Sequence, residues 1–220
     1  MPEHEKKIPD LECLSRVFIA KISSETRNGR CVHLSGEDSS GREPGLCNRN
    51  WFDGAYNASL IRSKDSGLTD DGKNELAALC CKFQLDNLDN PDAFDNWIKK
   101  EITKIGDLAT RHRCKAWSVG RSQKIINIFL KYCCAAYHSN YSEFSDFHKR
   151  HSGIEQLTEF LHAPIDSNTI KHLKWRPHGK SFCWTKDIKD WKSYNDIQEE
   201  LRHRLPKGIS SIQYEMTYIW

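Results

Sequence analysis

The chain has 220 residues, of which 38% are hydrophobic and 29% are charged, and its formal net charge is only +3. This length fits one large domain or two small lobes that share a core. No stretch approaches the roughly 18 consecutive apolar residues that indicate a membrane span, and the first residues lack a secretory signal pattern. These features argue against membrane and secreted proteins, so we expect an intracellular protein.

The chain has nine cysteines, and their arrangement predicts burial rather than metal binding. Cys80–Cys81 and Cys133–Cys134 lie in apolar runs with helical spacing, where cysteine acts as a small hydrophobic residue. There is no CxxC pair and no spacing typical of zinc or iron–sulfur ligands. We therefore expect no metal and no cofactor.

The first half of the chain predicts three helices around an aperiodic region. Residues 10–24 carry apolar residues at helical spacing, whereas residues 27–50 are rich in Gly, Ser, Asn and Arg and show no period. Thr69 is a candidate N-cap for a helix extending to Phe83. Pro91 begins a third helix, which we expect to end near Thr110.

The second half predicts more helices and no convincing strand. A strongly helical run follows Gly120, from Ser122 to Tyr137, and Asp166 heads a helix that continues to Leu173. The remaining elements are one or two short helices in 138–163, a turn at 176–183, a long helix over 187–204 and an apolar end at 209–220. We therefore predict an all-α protein.

Charge is distributed unevenly along the chain. Residues 96–131 contain nine lysine or arginine residues and two acidic ones, a net charge of +7, whereas residues 64–95 have a net charge of −5. A basic stretch attracts phosphates and makes their binding sensitive to salt. The alternative is an ordinary solvated helix face, and charge alone does not choose between the two.

The residues around Gly120 suggest a phosphate site. A glycine at a turn permits close approach of the backbone, and the first N–H groups of the following helix can bind an anion. Arg121 and Ser122 add donors there. The following polar residues Lys124, Asn127 and Lys131 recur at helical spacing, which an exposed and inert helix stripe would also produce. Asp166 is in turn expected to be an N-cap, whose carboxylate can still face a cleft.

Taken together, Gly120-x-x-x-Lys124-x-x-Asn127 and the later Pro164-Ile165-Asp166 resemble the core signature of helix-hairpin-helix DNA glycosylases of the endonuclease III and 8-oxoguanine glycosylase type. The resemblance covers about residues 95–175. By that pattern Gly120 is a hairpin glycine, Lys124 the catalytic lysine and Asp166 the catalytic aspartate. Ser122 replaces the usual second glycine, and the 41 residues between Lys124 and Asp166 are similar to the longer spacing of the archaeal 8-oxoguanine type. The iron–sulfur loop of the endonuclease III relatives is missing.

The resemblance implies a two-lobed helical glycosylase with its cleft between the lobes, approximately residues 1–60 with 176–220 and residues 61–175. It implies a monomer that binds DNA, in the cytoplasm or at a bacterial nucleoid, and has no membrane partner. The implied DNA-binding residues are Arg113, Lys115, Gly120, Arg121, Ser122 and Gln123. The aromatic residues that could line a base pocket or act as a wedge are Trp51, Trp117, Phe182 and Trp184.

The implied reaction is excision of a damaged or modified base. Cleaving the base from deoxyribose builds positive charge on the sugar, which the Asp166 carboxylate would stabilise, and the Lys124 amine could form a Schiff base at C1′ and act as an AP lyase. The substrate could be an oxidised purine in DNA repair or a hypermodified viral base in antiviral defence. Two alternatives remain open: a non-catalytic helix-hairpin-helix DNA-binding module and a helical protein–protein adaptor.

Overall fold

The computed structural model of the protein describes residues 9–24, 55–56, 67–83, 85, 88–115, 117–139 and 153–219. Every regular element in these ranges is helical and none is a strand, which confirms the all-α prediction. None of the helices found there has the length and apolar character needed to cross a membrane. The aperiodic region 27–50 and Trp51 lie outside the described residues.

The helices are named in chain order over the described part of the chain. A 3₁₀ turn, Pro177–Gly179, and a π turn, Glu215–Ile219, accompany them. The helices are α1 Leu11–Ser24, α2 Asp70–Cys81, α3 Pro91–Arg111, α4 Val119–His138, α5 Gly153–Leu157, α6 Ser167–His172, α7 Trp184–Asp187, α8 Trp191–His203 and α9 Ser211–Tyr214.

Side-chain caps explain most of the helix starts. Thr69 accepts a hydrogen bond from Gly72 N at the start of α2, and Asn90 accepts one from Ala93 N ahead of Pro91 in α3. The long helix predicted over 187–204 is α8, which begins four residues later, at Trp191, and follows the short helix α7. Asp190 and Ser193 form a reciprocal capping box, so the second helix begins at Trp191.

Helix α4 lies at the centre of the fold. It packs against α1, α3, α5, α7 and α8, and most of its residues are buried all round. It begins at Val119 because Ser118 caps it, three residues before the predicted start at Ser122. Gly120 is therefore inside the first turn of the helix rather than in a preceding hairpin, and its backbone is not in the left-handed region.

One cluster of buried apolar side chains runs through the described residues. It contains Phe18 from α1, Phe129 from α4, and Ile212 from α9 at the C-terminal end. The cluster thus joins residues from both predicted lobes, while the lobe boundaries themselves stay a prediction. Cys80, Cys133 and Cys134 are buried as predicted, at 0%, 1% and 0% exposure. Within the described residues no three His, Cys, Asp or Glu side chains are grouped to hold a metal ion.

Candidate active site

The side chains of Lys124 and Asp166 meet in the folded chain. Lys124 Nζ lies 3.1 Å from Asp166 Oδ2, with the two side chains 10% and 25% exposed. Lys124 is in the second turn of α4, and Asp166 immediately precedes α6. The fold thus brings a primary amine and a carboxylate, separated by 41 residues in sequence, into direct contact at a partly accessible position.

The two carboxylate oxygens of Asp166 have separate partners. Oδ1 accepts hydrogen bonds from the amides of Asn168 at 2.8 Å and Thr169 at 3.2 Å, which makes Asp166 the N-cap of α6 as expected. Oδ2 faces Lys124. Burial by itself would raise the pKa of the Asp166 carboxyl, but Lys124 and the two amide donors outweigh it and hold that pKa below its ordinary value. Asp166 is therefore an oriented carboxylate anion at neutral pH.

Gln123 positions the chain segment that carries Asp166. Its Nε2 donates to the carbonyl oxygens of Gly120 at 2.8 Å and Ile165 at 2.7 Å, and its Oε1 accepts from Ile165 N at 3.1 Å and Asn127 Nδ2 at 3.0 Å. Since Gln123 precedes Lys124 and Ile165 precedes Asp166, this amide clamp sets the distance between the ion-paired side chains. Gln123 is fully buried, and its amide atoms bond within the protein, so in this structure they do not face a DNA ligand.

Gly120 serves close packing rather than phosphate binding. A β-carbon at this position would collide with the Trp184 carbonyl oxygen, so only glycine allows α7 to approach α4 this closely. Gly120 N donates to Ile188 O at 3.2 Å, and Ser118 accepts from the amides of Arg121 and Ser122. These N–H groups are already bonded within the protein, so the predicted anion clamp at this helix start is not formed.

The other predicted DNA-binding residues divide by exposure. Arg121 and Ser122 are buried, at 6% and 1% exposure, which removes them from the surface. Burial also lowers the pKa of the Arg121 guanidinium. Arg113 and Lys115 are exposed in the turn between α3 and α4. Arg113 has φ +56° and closes a Schellman motif, in which Cys114 N donates to Ala109 O at 2.9 Å.

Trp184 is a predicted aromatic residue whose ring lies against Lys124. Its ring centroid lies 4.9 Å from Lys124 Nζ, and the side chain is only 3% exposed, so it forms a buried wall behind the amine and not a projecting wedge. Trp117 is half-buried and donates from Nε1 to Ser122 Oγ at 2.9 Å. Phe182 is partly buried against the core. Trp51 lies outside the described residues.

A second acid–base pair lies further along α4, about two turns after Lys124. Lys131 Nζ contacts both carboxylate oxygens of Glu215, at 3.0 and 3.1 Å. Burial raises the pKa of Glu215 despite Lys131, while the charges of Asp166 and Lys124 also act on it. Sequence analysis missed Glu215, although a single acidic residue between Leu201 and Trp220 in an apolar segment was a usable signal.

The polar face of α4 continues into a buried hydrogen-bond network. Asn127 Nδ2 donates to Tyr194 Oη at 2.8 Å, and His162 Nδ1 lies 2.8 Å from the same hydroxyl. His162 Nε2 pairs with Asp95 Oδ1 at 2.8 Å, which links α4 to α8 and α3. The idea that Lys124, Asn127 and Lys131 form an exposed, inert stripe is therefore wrong, since all three are buried and bonded.

No protein-family model, curated protein or solved structure matches this chain. Its function must consequently be inferred from the contacts made by its own residues. Among the described residues, the paired side chains of Lys124 and Asp166, backed by the Trp184 ring, are the arrangement with the clearest chemical use.

Proposed function

We propose that the protein is a DNA glycosylase in which Lys124 and Asp166 excise a damaged or modified base and Lys124 can act as an AP lyase. The observation that carries the proposal is the 3.1 Å contact between Lys124 Nζ and Asp166 Oδ2. Had the two side chains faced different surfaces, one reaction centre could not have used both. The proposal includes the two-lobed arrangement of helix-hairpin-helix glycosylases, with the substrate cleft opening at this pair.

Comparison with the second ion pair supports a chemical role for the first. The side chains of Lys131 and Glu215 are 5% and 7% exposed, as expected of a structural pair, whereas Asp166 keeps a quarter of its side chain accessible. Lys124 is also desolvated on one side by the Trp184 ring. A substrate sugar can therefore approach the Lys124–Asp166 pair from the side of the carboxylate, which the inner pair does not permit.

The reaction would proceed by displacement at the sugar. As the bond between C1′ and the base nitrogen breaks, the base leaves with the bonding electrons and takes a proton from solvent. The Asp166 carboxylate stabilises the positive charge that develops on the sugar, and it is the nearest acceptor for the proton that Lys124 must lose. The Lys124 amine attacks C1′ and loses a proton to Asp166. The C1′–O4′ bond then breaks, O4′ takes up that proton, and a Schiff base remains from which the strand can be cleaved.

Borohydride trapping on DNA that contains abasic sites or a panel of modified bases tests the proposal. Borohydride reduces a Schiff base to a stable amine, so the wild type should form a covalent complex with DNA. Lys124→Arg keeps the positive charge opposite Asp166 but cannot form a Schiff base, and it should abolish trapping. Lys100→Arg, an exposed lysine of α3, is the matched control and should trap normally.

The remaining outcomes separate the alternatives. Base release without trapping, lost in Asp166→Asn, would indicate a glycosylase without lyase activity. DNA binding with neither trapping nor base release would favour the non-catalytic DNA-binding module. Absence of DNA binding at low salt would favour the protein–protein adaptor and contradict the proposal.

A further inference from the structure

An exposed basic segment of the described structure follows Asp166, outside the stretch that the linear charge pattern singled out. Residues 167–186 contain five lysine or arginine residues and no acidic residue. All five are exposed, and among the described residues none of them lies in an ion pair. We call residues 167–186 the basic segment; its cations are Lys171, Lys174, Arg176, Lys180 and Lys186.

Folding pairs or buries five of the nine cations in the stretch that the sequence marked as basic, residues 96–131. Four of its nine cations pair with carboxylates, and Arg121 is buried. The four pairs are Lys104–Glu101, Arg111–Glu75, Lys124–Asp166 and Lys131–Glu215. Lys99, Lys100, Arg113 and Lys115 remain exposed and outside any ion pair in the described residues. The basic segment thus keeps a larger share of its cations exposed and outside ion pairs than residues 96–131 do.

Both ends of the basic segment are anchored at Lys124. Asp166, immediately before it, contacts Lys124 Nζ at 3.1 Å, and the ring of Trp184, near its end, lies 4.9 Å from the same atom. The chain thus leaves the candidate active site and returns to it within the segment. A polyanion bound along these cations would lie on a segment whose two ends contact Lys124.

The backbone of the segment is held in place while its cations face solvent. Lys174 has φ +50° and closes a Schellman motif at the end of α6, where Trp175 N donates to Ile170 O at 3.0 Å. Leu173 is buried in the core at 1% exposure. At the other end, Cys183 N donates to Asp187 Oδ2 at 2.7 Å. A surface with a fixed backbone and free lysine and arginine side chains suits contact with a regular array of phosphates.

We infer that the basic segment, rather than the turn before α4, binds the DNA phosphate backbone and guides the strand past Lys124 and Asp166. This inference rests on the proposed function, because DNA is the polyanion that a glycosylase must hold. The occupant is a DNA strand whose phosphates lie along Lys174, Arg176 and Lys180. Binding through phosphates would be independent of base sequence and sensitive to salt.

Two charge-matched triple variants test the inference. Lys174→Gln with Arg176→Gln and Lys180→Gln removes three exposed cations from the basic segment. Lys100→Gln with Arg113→Gln and Lys115→Gln removes three from α3 and the following turn. Each triple includes one residue with a left-handed backbone, Lys174 or Arg113, so the two carry similar backbone constraints.

The measurement is the affinity for an undamaged DNA duplex as a function of salt, by fluorescence anisotropy. Each lost phosphate contact lowers the magnitude of the slope of log affinity against log salt by about 0.9. The slope of the basic-segment triple should therefore be smaller in magnitude than that of the wild type by about 2 to 3. The triple variant of Lys100, Arg113 and Lys115, called the turn triple, should keep nearly the wild-type slope. An equal or larger loss in the turn triple, an unchanged slope in the basic-segment triple, or no binding by the wild type would each overturn the inference.

This assay needs no chemistry, so it fails independently of the proposed function. A basic-segment triple with a reduced slope, in a protein that releases no base from the panel, would support the binding surface and contradict the glycosylase. Base release that depends on Lys124, with an unchanged slope in the basic-segment triple, would contradict only the binding surface.

Discussion

Replacing Gln123 by Met should both destabilise the protein and disturb the candidate active site. Met has a similar length and no hydrogen-bonding amide, so the substitution removes the four bonds of the Gln123 side chain without opening a large cavity. The critical loss is at Ile165, whose N–H and C=O both bond to Gln123 in a fully buried setting. Those bonds hold the residue next to Asp166 against α4.

The expected size of the effect follows from the groups left without partners. A buried polar group that loses its hydrogen bond costs about 1 to 3 kcal/mol, so the two Ile165 groups predict a loss of about 2 to 6 kcal/mol in the free energy of unfolding. Gln198→Met is the matched control: Gln198 is equally buried, but only its bond to Ala163 O, at 2.7 Å, ties it to this segment. Its expected loss is about 1 to 3 kcal/mol.

Urea unfolding at neutral pH measures both stabilities, and borohydride trapping measures the site. Gln123→Met should trap far less than Gln198→Met when both proteins are assayed below their unfolding transitions, because only Gln123 bonds to the neighbour of Asp166. A Gln123→Met protein that is as stable as Gln198→Met and traps normally would refute the role of the amide clamp.

Two further substitutions test the packing and the buried charges around α4. Gly120→Ala should cost about 1 to 3 kcal/mol of unfolding free energy, because its methyl group meets the Trp184 backbone. Gly106→Ala, with open space around it in α3, should instead raise the unfolding free energy by roughly 0.5 to 1 kcal/mol. Thermal melts that rank the two variants in the opposite order would contradict the close packing at Gly120. Lys131→Met should cost about 3 to 5 kcal/mol of unfolding free energy because it leaves Glu215 buried and unpaired. Adding Glu215→Leu should restore most of that loss. A double variant no more stable than the single one would show that the two side chains are not coupled.

Helix positions were predictable wherever a local cap decides them. Thr69, Pro91 and Asp166 mark helix starts through bonds or steric preferences that span only a few residues, and the structure has helices at all three. The start of α4 was predicted too late because Gly120 was interpreted as a turn residue, whereas Ser118 provides the cap. A glycine has the same appearance in sequence whether it allows a turn or a close approach by another helix.

The exposure of polar residues was much less predictable. Lys124, Asn127 and Lys131 occur at a spacing that fits a solvated stripe equally well, and they are buried only because Asp166, Tyr194 and Glu215 approach from elsewhere in the chain. The same holds for charge, since carboxylates from elsewhere in the chain pair with Arg111, Lys124 and Lys131, whereas the five cations of residues 167–186 stay exposed and outside ion pairs in the described residues. Linear charge counts contain no information about these distant partners.

The sequence by itself determined the all-α class, most helix positions, the burial of three cysteines, and Lys124 and Asp166 as the residues of chemical interest, because periodicity, caps and motif spacing act over short distances. Only the tertiary structure decided that Lys124 and Asp166 touch, that Gln123 and Gly120 are structural, that Glu215 pairs with Lys131, and that the five cations after Asp166 stay exposed and outside ion pairs in the described residues. Each of these depends on which distant segments pack against α4, and the shape and satisfied polar groups of the whole core select that packing.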